Sequence, residues 1–372
     1  MKKVFALLLA ATMAFTMLAG CGKKAGDNSS GSNASGTRTV VDNIGNTVTI
    51  PAQVNRVVIA SITPLPSVYC MVMGSSDKIV GMTPAAKNAA VNSLLIKVAP
   101  GLKDIPTEFA QGDAINVEEL LKLDPDVVLY NTDSAVDKEA LKNCGVPAVG
   151  FSTTMEGGST IETLNKWVEL LGEVMGEETK AQGIIDYGRQ VEKEITQKVA
   201  ALSEDERSSA LILTNYDASA ITAAGNTFGR YWLKTIGTDN VAMEIEKQVS
   251  PVSLEQIYAW DPEIIFLNSF SAFTPEDLYN NTAVEGHDWS GLTAVKNKRV
   301  YKFPMGMYYW FPPSSDSPLA LQWLAKMAYP ELFADMDLEK TTKEYFHTYY
   351  GLDLTAQELQ AIYNPSKDAA MK

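Results

Sequence analysis

Histidine is nearly missing from this chain of 372 residues; only His287 and His347 occur. A Ser-His-Asp triad or a histidine-rich metal site needs more, so hydrolase and zinc-carrier chemistries find little material. There is no Gly-x-Gly-x-x-Gly after a strand, no Walker loop, no His-Glu-x-x-His and no Cys-x-x-Cys. The chain is therefore expected to be no enzyme and to keep no resident cofactor or metal. Past the N-terminal stretch, no apolar run approaches membrane-spanning length. Clustered cations are lacking too. Formal charge is -14, and -16 once residues 1–20, with Lys2, Lys3 and no acid, are set aside. An acidic surface argues against nucleic acid as a partner, since phosphate binding needs grouped cations, but it does not fix the sign of a local site. Cysteine is scarce: beside Cys21 stand Cys70 and Cys144, which fit a disulfide or, as preferred here, two buried free thiols.

What is present is a long amphipathic stretch flanked by a repeat. Over 177–202 the apolar residues Ala181, Ile184, Ile185, Val191, Ile195, Val199 and Leu202 recur at steps of three and four. That spacing predicts one helix about 39 Å long. Gly183 and Gly188 each cost it about 1 kcal/mol relative to alanine. Either this is an ordinary surface helix or it is a strut between two halves, and the repeat favours the strut. Asn116-Val117-Glu118-Glu119 opens a segment that stops at Asp124-Pro125 and runs into Val127-Val128-Leu129-Tyr130-Asn131. Ser253-Leu254-Glu255-Gln256 opens one that stops at Asp261-Pro262 and runs into Ile264-Ile265-Phe266-Leu267-Asn268. Each has capping-box spacing, a short helix ended before proline, and a continuous apolar strand of the kind buried in a parallel sheet. Two α/β lobes of similar plan are implied.

The N-terminus bears on compartment. A charged pair, Lys2-Lys3, precedes an apolar core over 4–18 that is short for a membrane span. Leu18-Ala19-Gly20-Cys21 then resembles the lipobox of bacterial lipoproteins, in which cleavage before the cysteine is followed by lipid attachment to its sulfur. A plain secretory signal with an accidental cysteine is the weaker alternative. The Gly-, Ser- and Asn-rich stretch after Cys21 cannot bury enough apolar surface to fold, so it reads as a flexible tether. The expected division is 1–20 signal peptide, 21–37 tether, 38–176 first lobe, 177–202 connecting helix and 203–372 second lobe.

Within the first lobe the pattern predicts a hairpin over 38–50, strands over 57–61, 78–82 and 148–152, and helices ending at Met73 and over 136–143 and 161–175. The second lobe has strands over 210–214 and 300–303, and helices over 228–236, 319–328, 339–349 and 355–363. His287 beside Asp288 reads as a loop residue or a ligand contact.

The cysteine motif, the tether, Thr39-Val40-Val41-Asp42-Asn43-Ile44-Gly45-Asn46, Arg56-Val57-Val58 and both Asp-Pro repeats together resemble the class III substrate-binding proteins of ABC importers. Trp289, Leu292, Ala294, Val295 and Arg299-Val300-Tyr301 are similar to the segment before that family's last strand. The resemblance spans residues 39–363. It implies two Rossmann-like lobes joined by a single rigid helix, a ligand cleft between them, and an extracytoplasmic protein lipid-anchored to the cell membrane through Cys21. It also implies an ABC permease dimer with a cytoplasmic ATPase as partner, monomeric action, and a metal chelate as cargo, foremost a ferric siderophore. Haem, corrinoids and oxyanions such as molybdate remain alternatives. A membrane-anchored sensor or adhesin on the same fold, or an extracellular lipoprotein enzyme, stays open as well.

Ligands of open α/β sheets sit beyond the carboxyl ends of the strands. From the first lobe that rule nominates Ser61, Thr63, Pro64, Thr83, Asn131 and Thr132. From the second it nominates Asn215, Tyr216, Thr227, Phe228, Arg230, Asn268 and Phe270, with Met307, Tyr308, Tyr309 and Trp310 of the run 305–311. That run is either a core loop or a wall for a flat organic chelate, and four successive aromatics are expected to leave some facing a cleft. Arg230 is either the cation for an anionic ligand or a surface ion-pair partner. Glu118 and Glu255 hold matching places in the repeats. Favourable interaction with the helix dipole accounts for both, and by resemblance they match the glutamates that dock onto the permease.

Overall fold

The computed structural model describes residues 36–112, 114–155, 158–225, 228–245 and 249–366. Cys21, the signal segment and Thr227 therefore lie outside the described residues. The first lobe opens on a hairpin of β1 (Thr37–Val41) and β2 (Thr47–Pro51), turned at Gly45. Then come β3 (Val57–Ile59), α1 (Leu65–Met73), β4 (Ile79–Met82), α2 (Pro84–Val91), α3 (Leu95–Val98) and a small hairpin, β5 (Ala110–Gln111) with β6 (Ala114–Ile115). The first repeat supplies α4 (Val117–Lys122) and β7 (Val127–Asn131), followed by α5 (Ala135–Leu141), β8 (Ala148–Phe151) and α6 (Thr160–Met175). The sheet is parallel, in the order β4-β3-β7-β8.

The long helix α7 runs over Glu178–Val199, about 33 Å, shorter than expected because its last turn is lost before Leu202. Its apolar stripe is buried as the spacing predicts. It leads from the first lobe into the second while packed along its length. With α6 it forms a helical hairpin turned at Gly176, and its buried stripe belongs to the core that also holds residues of α12. Gly188, a weak helix former, has a use: a Cβ there would stand 3.3 Å from Asn165 Oδ1 of α6, so glycine lets the helices close up.

The second lobe comprises β9 (Ser209–Tyr216), β10 (Ile221–Ala224), α8 (Phe228–Thr235), β11 (Asp239–Asn240), β12 (Val249–Pro251), α9 (Leu254–Trp260), β13 (Ile264–Leu267), α10 (Pro275–Tyr279), α11 (Thr293–Lys296) and β14 (Val300–Lys302). Its helices α12 (Ser317–Ala328), α13 (Leu338–Tyr350) and α14 (Ala356–Tyr363) follow. The sheet order is β12-β10-β9-β13-β14, with β11 beside β9. Unlike the first sheet it is mixed, since β10 runs antiparallel to both its neighbours, β9 and β12. The turn Asp217–Ala220, closed by an Asp217 N to Ala220 O bond of 3.1 Å, sends the chain straight back as β10.

Both repeats fold alike. Asn116 accepts from the amides of Glu118 and Glu119, and Ser253 from that of Gln256. Asp124 and Asp261 both take positive φ, +45° and +40°, before their prolines. Aspartate tolerates that left-handed conformation better than most residues, and it is one way to leave a helix ahead of Pro.

Alternate strand residues separate two kinds of core. Val57, Ile59, Val127 and Leu129 face one central core, as do Ala210, Ile212, Ile264 and Phe266 of the other sheet. Their neighbours Val58, Val128 and Tyr130 face a satellite core in the first lobe, and Leu211, Leu213, Ile265 and Leu267 one in the second. The central core also holds α1, α6, α7, α12 and α13. The lobes thus share interior, which limits independent movement. Helix α13 reaches across: Tyr350 donates its hydroxyl to Ser67 O of α1 at 3.1 Å. Cys70 and Cys144 are both buried and free. No described helix is long and apolar enough to cross a membrane.

Candidate functional site

A cavity of about 500 Å³ opens at the carboxyl ends of β3, β4 and β7, where an open parallel sheet carries its ligands. Ser61 and Thr63 follow β3, Thr83 follows β4, and Asn131 ends β7. Ser134 and Asp137 come from the start of α5, while Ala110, Gly112, Ala114 and Ile115 of the β5–β6 hairpin complete the wall. All the described lining residues belong to the first lobe.

The polar groups are held in place. Ser61 has φ +33°, a strained conformation for serine that costs on the order of 1–3 kcal/mol and persists where surrounding structure imposes it. Here its Oγ accepts from Asn131 N at 3.2 Å and donates to the buried Asp137 carboxylate. Thr83 caps α2, accepting from Ala86 N at 3.3 Å. Ser134 caps α5, accepting from Asp137 N at 3.1 Å. Asn131 Oδ1 accepts from Asp133 N at 2.9 Å. The Thr83 and Ser134 hydroxyls and the Asn131 amide consequently keep their own hydrogens to offer a ligand. Among the described residues no lysine, arginine or aromatic lines the cavity. Among the described residues no cluster of His, Cys, Asp and Glu could hold a metal.

Of the first-lobe nominations, Ser61, Thr63, Thr83 and Asn131 meet in this cavity. Pro64 is buried at the start of α1, and Thr132 is buried beside Asn131, its N–H donated to Phe151 O at 2.9 Å. The second-lobe nominations do not join them. Tyr216 is core: its hydroxyl sits 3.0 Å from Trp289 Nε1 and 2.9 Å from His287 Nδ1, which stacks on it. Asn215 donates to Asp217 at 2.6 Å, and buried Asn268 to Thr214 O at 3.2 Å. Phe228 is half-buried edge-on to Phe311, and Arg230 donates to Met243 O at 2.8 Å.

The run 305–311 corrects the expectation that some aromatics must face a cleft. Met307, Tyr308, Tyr309, Trp310 and Phe311 are all buried. This is possible because the loop has an interior on either side. Met307, Trp310 and Phe311 turn into the central core, while Tyr308 and Tyr309 pack with Met305, Ala89 of α2 and Phe270. Asp316, wholly buried, holds the turn, its Oδ2 accepting from Met307 N at 2.7 Å and Trp310 Nε1 at 3.0 Å. Burial pushes its carboxyl up to about 6 against these hydrogen bonds, which lower it. Burial also raises the Tyr308 phenol, so it meets Thr63 Oγ1 at 2.7 Å as a neutral hydroxyl.

Ser134, Asp137, Asp316 and the β5–β6 hairpin were not anticipated. Ser134-x-x-Asp137 carries a capping signature that could have nominated the first pair. Two-residue strands leave no periodicity to read.

Residues 59–305 match the family described as periplasmic binding protein. A periplasmic solute-binding protein from Veillonella parvula superposes with a TM-score of 0.80 at 32% identity, over 88% of this chain and 97% of that one. The molybdate-binding protein MolA of Haemophilus influenzae is 25% identical over 332 residues, 84% of this chain and 91% of its own. YvrC of Bacillus subtilis, an ABC transporter substrate-binding lipoprotein, is 28% identical over 344 residues, 90% of this chain and all of its own. The chain belongs to the periplasmic binding protein family and is an extracytoplasmic substrate-binding protein of an ABC importer, with a permease and ATPase as partners, and not an enzyme.

Proposed function

We propose that this protein captures a small oxyanion of the molybdate and tungstate class in the first-lobe cavity and delivers it to the permease. The observation that carries this reading is the lining: hydroxyls and an amide with hydrogens to donate, beside the N-terminus of α2, and no aromatic wall. The aromatics that would have stacked on a flat chelate are packed into protein instead. MolA, similar over most of both chains, is named for molybdate binding.

The ferric siderophore that the family resemblance implies becomes the second reading, along with haem and corrinoids. One observation favours it: among the described residues no cation lines the cavity, which includes the Asp137 carboxylate, and that suits an uncharged chelate better than a dianion.

Delivery is proposed to use Glu118 and Glu255, both exposed, in the first turns of α4 and α9. The protein is proposed to act as a monomer, tethered by lipid on Cys21.

Calorimetry and thermal shift with molybdate, tungstate, sulfate, ferric siderophores, haemin and cobalamin test the cargo. Molybdate or tungstate at a hundred times its Kd should add about 2.7 kcal/mol of stability. Ser134→Ala and Thr83→Ala should each weaken binding about tenfold, the worth of one hydrogen bond. Stabilisation by a chelate and by none of the oxyanions would overturn the first reading in favour of the second.

A further inference from the structure

The loop 305–311 enters the space between the lobes as a closed unit. Met305 and Tyr309 form an antiparallel bridge, and Gly306 N donates to Tyr308 O at 3.0 Å. Asp316 holds the loop from within the second lobe. Toward the first lobe it is pinned twice, by Leu94 N donating to Gly306 O at 3.1 Å and by the Thr63–Tyr308 hydroxyl pair at 2.7 Å. The rings of Tyr308 and Tyr309 lie 5.1 Å apart, and Phe270 closes on Tyr309 at 4.5 Å. Thr63 is therefore a wall residue of the cavity on one side and a contact of Tyr308 on the other.

We infer that Tyr308 sets the size of the cargo: its clamped ring fills the volume into which a bulky chelate would extend from the first-lobe cavity. The inference rests on that cavity being the cargo site, as proposed above. Tyr308 is only 4% exposed, and a rigid loop cannot yield to a large ligand as a mobile side chain would. The ring acts by occupying space, so its hydroxyl is secondary. That separates two substitutions. Tyr308→Ala empties the volume, whereas Tyr308→Phe removes the bond to Thr63 and keeps the ring.

The test measures ferrichrome, a bulky uncharged ferric hydroxamate, by calorimetry against wild type, Tyr308→Ala and Tyr308→Phe. Tyr308→Leu serves as the truncation if the alanine variant does not fold, as judged by near-UV circular dichroism. Truncation should tighten ferrichrome binding about tenfold or more over wild type, and Tyr308→Phe should stay at the wild-type value. A folded truncation with no gain, a gain as large from Tyr308→Phe, or wild type already binding as tightly as the truncation overturns the inference. Molybdate binding by wild type, measured alongside, tests the oxyanion reading separately, since the size effect is read only from the ratio of variant to wild type.

Discussion

Replacing Asp316 by asparagine should make the protein more stable at neutral pH, not less. The carboxylate is wholly buried, and burial lifts it from an ordinary value of 3.8 to about 6. Between those two values the folded chain holds a proton that the unfolded chain has released, so stability falls as pH rises through this window. About two units correspond to roughly 3 kcal/mol, present below the unfolded value and lost above the folded one. Asparagine keeps an oxygen for Met307 N, Tyr308 N and Trp310 Nε1, which all point to Oδ2. Its amide can donate to Ser315 Oγ, which lies 3.1 Å from Oδ1. Urea unfolding followed by tryptophan fluorescence from about pH 4 to about pH 7.5 would measure the gap between wild type and variant, with other carboxylates cancelling. Asp316→Asn should gain on wild type by roughly 3 kcal/mol across that range and then run parallel to it. Asp316→Ala, which orphans three buried donors, should be the least stable at every pH. A constant gap between wild type and Asp316→Asn would refute the reasoning.

Two further outcomes concern delivery and anchoring. Glu118→Ala combined with Glu255→Ala should abolish ligand-stimulated ATPase activity of the reconstituted importer while affinity in solution is unchanged; a large loss of affinity would assign these residues to the ligand. Glu255 is held below the usual carboxylate range by its own N–H and by Ser253, so it meets the permease charged. Cys21→Ser should move the protein from the membrane pellet to the soluble extracellular fraction, and retention in the pellet would count against lipid anchoring.

Elements with strong local signals were legible in the sequence. The stripe on α7, the paired Asn116 and Ser253 caps and the two buried repeat strands all follow from side-chain spacing, and all appear in the fold. The hairpin of β9 and β10 was missed because its strand Ile221-Thr222-Ala223-Ala224 is short and its turn, Asp217-Ala218-Ser219-Ala220, contains neither glycine nor proline. The first-lobe cavity could be anticipated because strand ends and cavity coincide at Ser61, Thr83 and Asn131. The surroundings of the second-lobe nominations could not. Whether Tyr308 and Trp310 face a cleft or an interior depends on where Asp316, Ala89 and Tyr363 lie in space, and no local pattern encodes that. Nothing in the polar run Ser314-Ser315-Asp316-Ser317 signals that it is wholly buried.

The crossing of α13 onto α1 bears on how the chain is made. Tyr345 and Tyr350, which meet Met71 and Ser67, are synthesised nearly three hundred residues after them. A half-emerged polypeptide has its first parallel sheet in hand but an open flank along α1. Contacts so distant in sequence carry a large closure entropy and slow assembly. Removing α13 and α14 should thus unsettle the early half of the molecule as much as the late one, since the seal on the first sheet's helices is delivered only when synthesis is almost over.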